Sequence, residues 1–229
     1  MDYLGHGFSD IPKVEYSAGL FIASVAGFLE RVNIEHALLV GESIGGTIAL
    51  VLAARHNPRV QRVIAVNPYD YDAGRGLRRS SWLANLLFGL NNVPIIGSTV
   101  MRFRQYSVFQ KVMEGGVSHG DALAPALLRE MYNVGNRPHH YRAFMSLVAH
   151  WADWESGRTE YATIAVPVLL VYGDDDWSRL EERDANRRAI RGAQITTVRD
   201  SRHFLSLDAP EALVQLILNF SQADLPKPG

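Results

Sequence analysis

The sequence predicts an α/β protein, a parallel sheet interrupted by an inserted helical segment, on three observations. Strand patterns recur at Ala37–Val40, Val60–Val66, Val166–Tyr172 and Ala193–Val198; the first is a short continuous apolar run, the pattern of a parallel strand covered on both faces. Helical patterns separate them, and strand, helix, strand in that order gives parallel neighbours joined by crossovers. From residue 69 to about 160 the strand pattern lapses and only helical patterns remain.

Each element follows from its residues. From Ser17 to Val32, Leu20, Ala23, Val25, Phe28, Leu29 and Val32 recur at helical spacing, with Glu30 and Arg31 on the polar side. The Ala37–Val40 strand comes next, then a small-residue helix from Ile44 to Arg55 stopped by Asn57-Pro58. The Val60–Val66 strand ends at Asn67-Pro68. Candidate helices in the insertion are Ser81 to Leu90, Ser98 to Met113, Ala122 to Tyr132 and His139 to Trp154, separated by Pro94, Gly115-Gly116 and Arg137-Pro138. The Val166–Tyr172 strand runs into Gly173-Asp174-Asp175-Asp176. Ser178 with Glu181 reads as a capping box for a helix through Ile190, which Gly192 stops. After the Ala193–Val198 strand, Arg199 to Ser206 reads as a loop, and Asp208 with Glu211 as the cap of an amphipathic helix to Phe220. Ser221 to Gly229 is a polar tail.

Composition narrows the function classes. The chain has 229 residues, 47% hydrophobic and 21% charged, enough for one domain with an inserted subdomain. A net charge of -1 creates no field for nucleic acid or anionic lipid, so small molecules are the expected ligands. The chain has no cysteine, which excludes disulfides and thiolate metal sites and fits a reducing compartment. Met1 to Gly7 has neither a basic nor an apolar signal-peptide region, and Trp82 to Met101 is broken by Asn91, Asn92, Pro94 and Gly97. A cytoplasmic location without membrane or nucleic-acid contact is the expectation. Arg78-Arg79, Arg102 with Arg104, and Arg187-Arg188 read as solvated faces. His139-His140 lacks further residues at metal-ligand spacing and reads as a helix start. Trp82, Trp151 and Trp154 read as packing of the helical segment or as lining of an apolar pocket.

The chemistry concentrates at Leu38-Leu39-Val40-Gly41-Glu42-Ser43-Ile44-Gly45-Gly46, where an apolar run meets a serine set between glycines and turns helical. That is the pattern of a strained strand-to-helix turn that presents the serine at a strand end. A serine hydroxyl needs an imidazole to take its proton and an anion to orient that imidazole. Asp176 and His203 each follow a predicted strand, and parallel strands bring their C-terminal ends to one edge. Asp175, and Asp70 or Asp72 after the earlier strand, are alternative acids. Asp174, Asp175 and Asp176 could also simply cap the next helix.

Four pieces in register carry a resemblance: Asp2-x-x-Gly5-His6-Gly7-x-Ser9, Gly41-Glu42-Ser43-Ile44-Gly45-Gly46, the Pro167 strand ending in Gly173-x-x-Asp176, and His203-Phe204-Leu205 before Pro210. Together they make the chain similar to the α/β-hydrolase fold superfamily, in its capped, cofactor-free serine hydrolase branch. The resemblance implies an α/β-hydrolase core of residues 1–68 and 161–229 and a helical cap of residues 69–160. It implies Ser43 as nucleophile, His203 as general base and then acid, Asp176 as orienting carboxylate and the Ile44 N–H as an oxyanion donor. No metal or organic cofactor is implied, and His6 receives no role.

In that family several strands and a His-Gly loop, source of the second oxyanion N–H, precede the Asp2 to Ser9 pattern. Their lack from this sequence implies an N-terminally truncated core. Loss of one oxyanion donor costs about 10² to 10³ in turnover. The Ala37–Val40 strand would then be an open edge, inviting a second copy or a partner strand. The expected function is hydrolysis of an ester or related acyl bond of a small molecule through an acyl-enzyme. Carbon–carbon bond hydrolysis with the same residues, a silent scaffold completed by a partner chain, and an anion site at the Ile44 helix start are the alternatives.

Overall fold

In the computed structural model, which describes residues 2–90, 99 and 105–222, the first regular element is helix α1, Ala18–Arg31. Ser17 caps it, its side chain accepting the Leu20 N–H, and Phe21, Ile22 and Leu29 are its buried face. Strand β1 (Ala37–Glu42), helix α2 (Ile44–Ala54) and strand β2 (Val60–Val66) follow. Beyond β2 come α3 (Trp82–Leu90), α4 (Tyr106–Glu114), α5 (Pro125–Gly135), α6 (His140–Ala149) and the short α7 (Asp153–Ser156), with 3-10 turns between them. Strand β3 (Val168–Gly173), α8 (Leu180–Ala189), β4 (Gln194–Val198), α9 (Leu205–Asp208) and α10 (Pro210–Gln222) complete the order.

The four strands form one parallel sheet in the order β1-β2-β3-β4. Alternation along β2 divides the core in two. Val63 and Ala65 pack with α1 and α2, whereas Ile64 and Val66 pack with Leu205 and with Leu213 and Phe220 of α10. β3 alternates the same way, Leu170 and Tyr172 on the first face and Leu169 and Val171 on the second. Helices on both faces of a parallel sheet make the three-layer α/β arrangement that the apolar runs predict. Helix α2 is buried over most of its length, so it shows little amphipathic contrast.

Several boundaries differ from the sequence reading, each for a physical reason. β1 continues through Glu42, because Gly41 and Glu42 still pair with Ala65 and Val66. It is also an edge strand in the described residues, and Val40, read as doubly covered, is 43% exposed. Proline costs the β3 ladder its first residues: the strand starts at Val168, after Pro167. The stretch read as one helix from His139 to Trp154 breaks into α6 and α7 at a turn around Trp151. Helix α5 begins at Pro125, a residue suited to a first helical turn, rather than at Ala122. Part of the predicted Ser98–Met113 helix lies outside the described residues, as does most of the Ser221–Gly229 tail.

Both predicted helix caps are also corrected. α8 starts one residue later than expected, with Arg179 in the cap position and Glu182 accepting its N–H at 2.7 Å, while the Ser178 hydroxyl bonds Asp176. Asp208 ends α9, and its carboxylate accepts the Ser118 and Arg202 N–H groups at 2.9 and 2.8 Å instead of capping α10. Trp82, expected to pack, is 78% exposed. Arg79, read as solvated, is partly buried between Asp72 and Glu182. Among the described residues no helix is long and apolar enough to cross a membrane.

Candidate active site

Ser43 stands between the last residue of β1 and the first of α2, at φ 57° and ψ -125°. A non-glycine residue in this region is strained and persists only where its surroundings hold it. Here the Ser43 N–H donates to Val66 O at 2.9 Å, and its carbonyl accepts the N–H groups of Gly46 and Tyr69 at 3.0 and 3.2 Å. Gly41 is required by close approach, since a Cβ there would strike the backbone of Gly45. The turn brings the serine hydroxyl to the His203 ring, and the Ile44 N–H, first in α2, has no acceptor within its own helix.

His203 sits in the loop between β4 and α9, its side chain 1% exposed. Its Nδ1 lies 2.6 Å from Asp176 Oδ1 and its Nε2 lies 2.9 Å from Ser43 Oγ. An ionised carboxylate can only accept, so Nδ1 carries the proton and Nε2 presents its lone pair to the serine hydroxyl. Asp176, beyond the end of β3, also accepts the Ser178 N–H at 3.0 Å and the Ser178 hydroxyl. Burial alone would push the Asp176 carboxyl up. The charge and hydrogen bond of His203 and the bonds from Ser178 outweigh it and hold the group below the ordinary carboxylate range.

The structure therefore brings Ser43, His203 and Asp176 together and leaves the other candidate acids elsewhere. Asp175 pairs with Arg202 at 2.8 Å and is largely exposed. Asp72 pairs with Arg79 at 3.1 Å and Arg75 at 3.3 Å. Asp70 is buried against neutral partners, accepting from Tyr161 Oη at 2.8 Å and Asn186 Nδ2 at 3.0 Å. Burial pushes its carboxyl up to about 6 despite those hydrogen bonds.

Other residues of the site escaped the sequence reading. Trp177 stacks on the His203 ring at 3.8 Å between centroids and 10° between planes. Asn67, fully buried beyond β2, donates from Nδ2 to the carbonyls of Arg202 and His203, both at 2.9 Å, and accepts the Gly173 N–H at 2.9 Å. One amide thus fastens the histidine loop to the ends of two strands. Glu42, beside the serine, accepts the Ser206 N–H at 2.9 Å and the Ser206 hydroxyl at 2.6 Å. The one available hint was position: Asn67 and Glu42 both stand where a predicted strand meets a turn.

Ser43 and His203 open into a cavity of about 710 Å³. Its walls are mainly apolar: Leu87 and Phe88 of α3, Val108 and Val112 of α4, Phe144 and Leu147 of α6, and Trp151 with Trp154. The polar groups among its described lining are few, chiefly Asp2, His6, Tyr69, Glu130 and His140 beside Ser43 and His203. His6 donates from Nδ1 to Leu4 O at 3.1 Å, and burial lowers its basicity, which leaves Nε2 as an acceptor. His139 occupies the cap position of α6 at φ 70°, a helix start as read, while His140 is buried in the cavity wall. Among the described residues no three His, Asp or Glu side chains gather as a metal cluster.

Comparison with known proteins identifies the family of this fold. Residues 1–210 match the alpha/beta hydrolase fold family model. The 2-hydroxymuconate semialdehyde hydrolase of Pseudomonas putida is 39% identical, over 97% of this chain and 76% of that protein. The 2-(acetamidomethylene)succinate hydrolase of Mesorhizobium japonicum is 26% identical, over 97% of this chain and 77% of that protein. In solved structures, a meta-cleavage product hydrolase from Pseudomonas fluorescens superposes with a TM-score of 0.77 at 21% identity, over 97% of this chain and 79% of that one, a likeness of fold. With the parallel sheet, the strained serine turn and this match over most of its length, the chain belongs to the alpha/beta hydrolase fold family.

Proposed function

We propose that this chain is a serine hydrolase of small apolar acyl substrates, with residues 69–160 acting as the cap that encloses them. The observation that carries this reading is the continuous line from Asp176 through His203 to Ser43 at the floor of an apolar cavity. Ser43 Oγ attacks the carbonyl carbon while its proton passes to His203 Nε2, and the charge on the carbonyl oxygen is held by the Ile44 N–H. Collapse breaks the acyl–oxygen bond, and His203 returns the proton to the leaving alcohol. Water, deprotonated by the same nitrogen, then releases the acid and Ser43.

The test is labelling with a fluorophosphonate, read by peptide mass, together with hydrolysis of p-nitrophenyl esters of medium chain length. The intact chain should be modified at Ser43, and Ser43→Ala should lose both labelling and turnover. A folded chain that neither labels nor cleaves the esters overturns the reading.

A second reading, hydrolysis of a carbon–carbon bond beside a ketone, is favoured by the Pseudomonas putida relative, whose name gives it 2-hydroxymuconate semialdehyde. That substrate carries a carboxylate, and the described lining of the cavity offers no Lys or Arg to receive one. Assaying 2-hydroxymuconate semialdehyde beside a neutral ester ranks the two. Cytoplasmic location and a second copy or partner strand along β1 belong to the same proposal, and the sizing profile of the purified chain tests the latter.

A further inference from the structure

Three consecutive residues after β3 attend the His203 ring, and the middle one has no part in the reaction just described. Asp176 accepts from Nδ1, and Ser178 holds the Asp176 carboxylate from behind. Trp177 lies flat on the imidazole and reaches on from there, its Nε1–H donating to Gly115 O at 3.1 Å in the turn after α4.

The same turn is fastened to the histidine-bearing segment twice more. Phe204 N–H donates to Gly116 O at 2.8 Å, and the Asp208 carboxylate takes the Ser118 N–H at 2.9 Å and the Arg202 N–H at 2.8 Å. Gly116 permits this approach, since a Cβ there would meet the Phe204 ring. Phe204 and Leu207 also pack into the small apolar cluster of Val117, Leu123 and Leu128. The helical segment's own core is thus shared with residues flanking the imidazole.

The Cβ–Cγ bond and two hydrogen bonds, at Nδ1 and Nε2, orient the ring but leave it soft to rocking about its side-chain torsions. A flat neighbour at 3.8 Å removes that freedom on one face, and Tyr69, edge-on at 5.9 Å between centroids, stands against the ring as well. We infer that Trp177 is a positioning residue: anchored on the Gly115 turn, its indole holds the His203 imidazole in line with both Asp176 and Ser43, so that the helical segment sets the alignment of the base. The inference rests on the serine-hydrolase reading for its kinetic consequence and on geometry alone for its structural one.

The experiment compares Trp177→Leu, which loses ring and N–H, with Trp177→Phe, which keeps a flat ring. Trp177→Leu should lower kcat on p-nitrophenyl esters by roughly 10- to 100-fold with KM changed by less than about threefold, and Trp177→Phe should recover most of that loss. The low-field proton resonance of the short His203 Nδ1–H bond to Asp176 should broaden or vanish in the leucine variant and persist in the phenylalanine one. Gly116→Ala, which touches neither ring of the stack, should broaden the same resonance by displacing the turn, and it serves if Trp177→Leu fails to fold.

An unchanged resonance in folded Trp177→Leu or in Gly116→Ala overturns the inference, as does a phenylalanine variant as impaired as the leucine one. Because the resonance needs no substrate, its expected response in a chain that neither labels nor turns over would sink the serine-hydrolase reading and leave the positioning intact.

Discussion

Asp70 and Asp176 lie just beyond the C-terminal ends of adjacent strands, both buried, and their carboxyls move in opposite directions. Asp70 faces the Tyr161 hydroxyl and the Asn186 amide and is pushed up to about 6 by burial. Asp176 is nearly as buried, yet His203 and Ser178 hold it below the ordinary range. Neutral hydrogen bonds offset only part of the cost of burying a carboxylate, whereas an imidazole that can carry positive charge reverses it. Equivalent places in the topology therefore hold groups of different chemistry, and the partner across the strand end decides which.

The largest test of this contrast is Asp176→Asn. Expected is a fall in kcat/KM of about 10⁴, or about 5.5 kcal/mol of transition-state stabilisation, because an amide no longer selects the right imidazole tautomer. Asp70→Asn should leave ester hydrolysis within about threefold, an effect of under about 1 kcal/mol; equal losses in the two variants would erase the distinction.

The pH dependence of stability is the next. Asp70 has a folded value above the 3.8 of an ordinary aspartate, so the native state keeps its proton longer than the unfolded chain does. Its contribution is full below about pH 4 and is lost as pH rises through about 6, on the order of 3 kcal/mol for two units. Asp70→Asn should abolish that decline in Tm measured from pH 4 to 7. Asp176 has the opposite sign: its contribution is present above the ordinary aspartate range and is lost as pH falls through its lowered folded value. Asp176→Asn should therefore flatten the acid side of the same curve, and parallel curves for the two variants would break the comparison.

A smaller loss than that of Asp176→Asn is expected from Ser178→Ala, which removes the hydroxyl bond to Asp176 and leaves the backbone one. Losing one hydrogen bond to a charged acceptor costs about 1.5 kcal/mol, roughly tenfold in turnover. Ser178 Oγ also accepts Arg183 Nε at 3.0 Å, so a small loss of Tm should accompany it.

Much of this molecule was legible in the residues because the relevant forces are local. The β-branched residues of Val60–Val66 and Ala193–Val198, each bounded by turn residues, locate β2 and β4 to within a residue, since branched side chains fit the pleated backbone of a strand. The Gly41-Glu42-Ser43-Ile44-Gly45 pattern locates the strained turn, because the close crossing of strand and helix excludes a side chain at Gly41. Helix caps were read less well. Ser178 and Asp208 have the right chemistry for capping, but Ser178 spends its hydroxyl on Asp176, which His203 holds from across the fold, and Asp208 spends its carboxylate on the remote Ser118.

What the sequence determined by itself was the parallel α/β class, the serine at a strand end, and a short list of acids and one histidine that could join it. Only the tertiary structure shows which of Asp70, Asp72, Asp175 and Asp176 faces His203, since all four follow strands and only Asp176 lies against its ring. Only it could place Trp177 on the imidazole, Asn67 across the strand ends, and the apolar walls around Ser43. Those relations join residues far apart in the chain. Burial and hydrogen-bond direction there are set by packing between layers, which residue order along one segment does not encode.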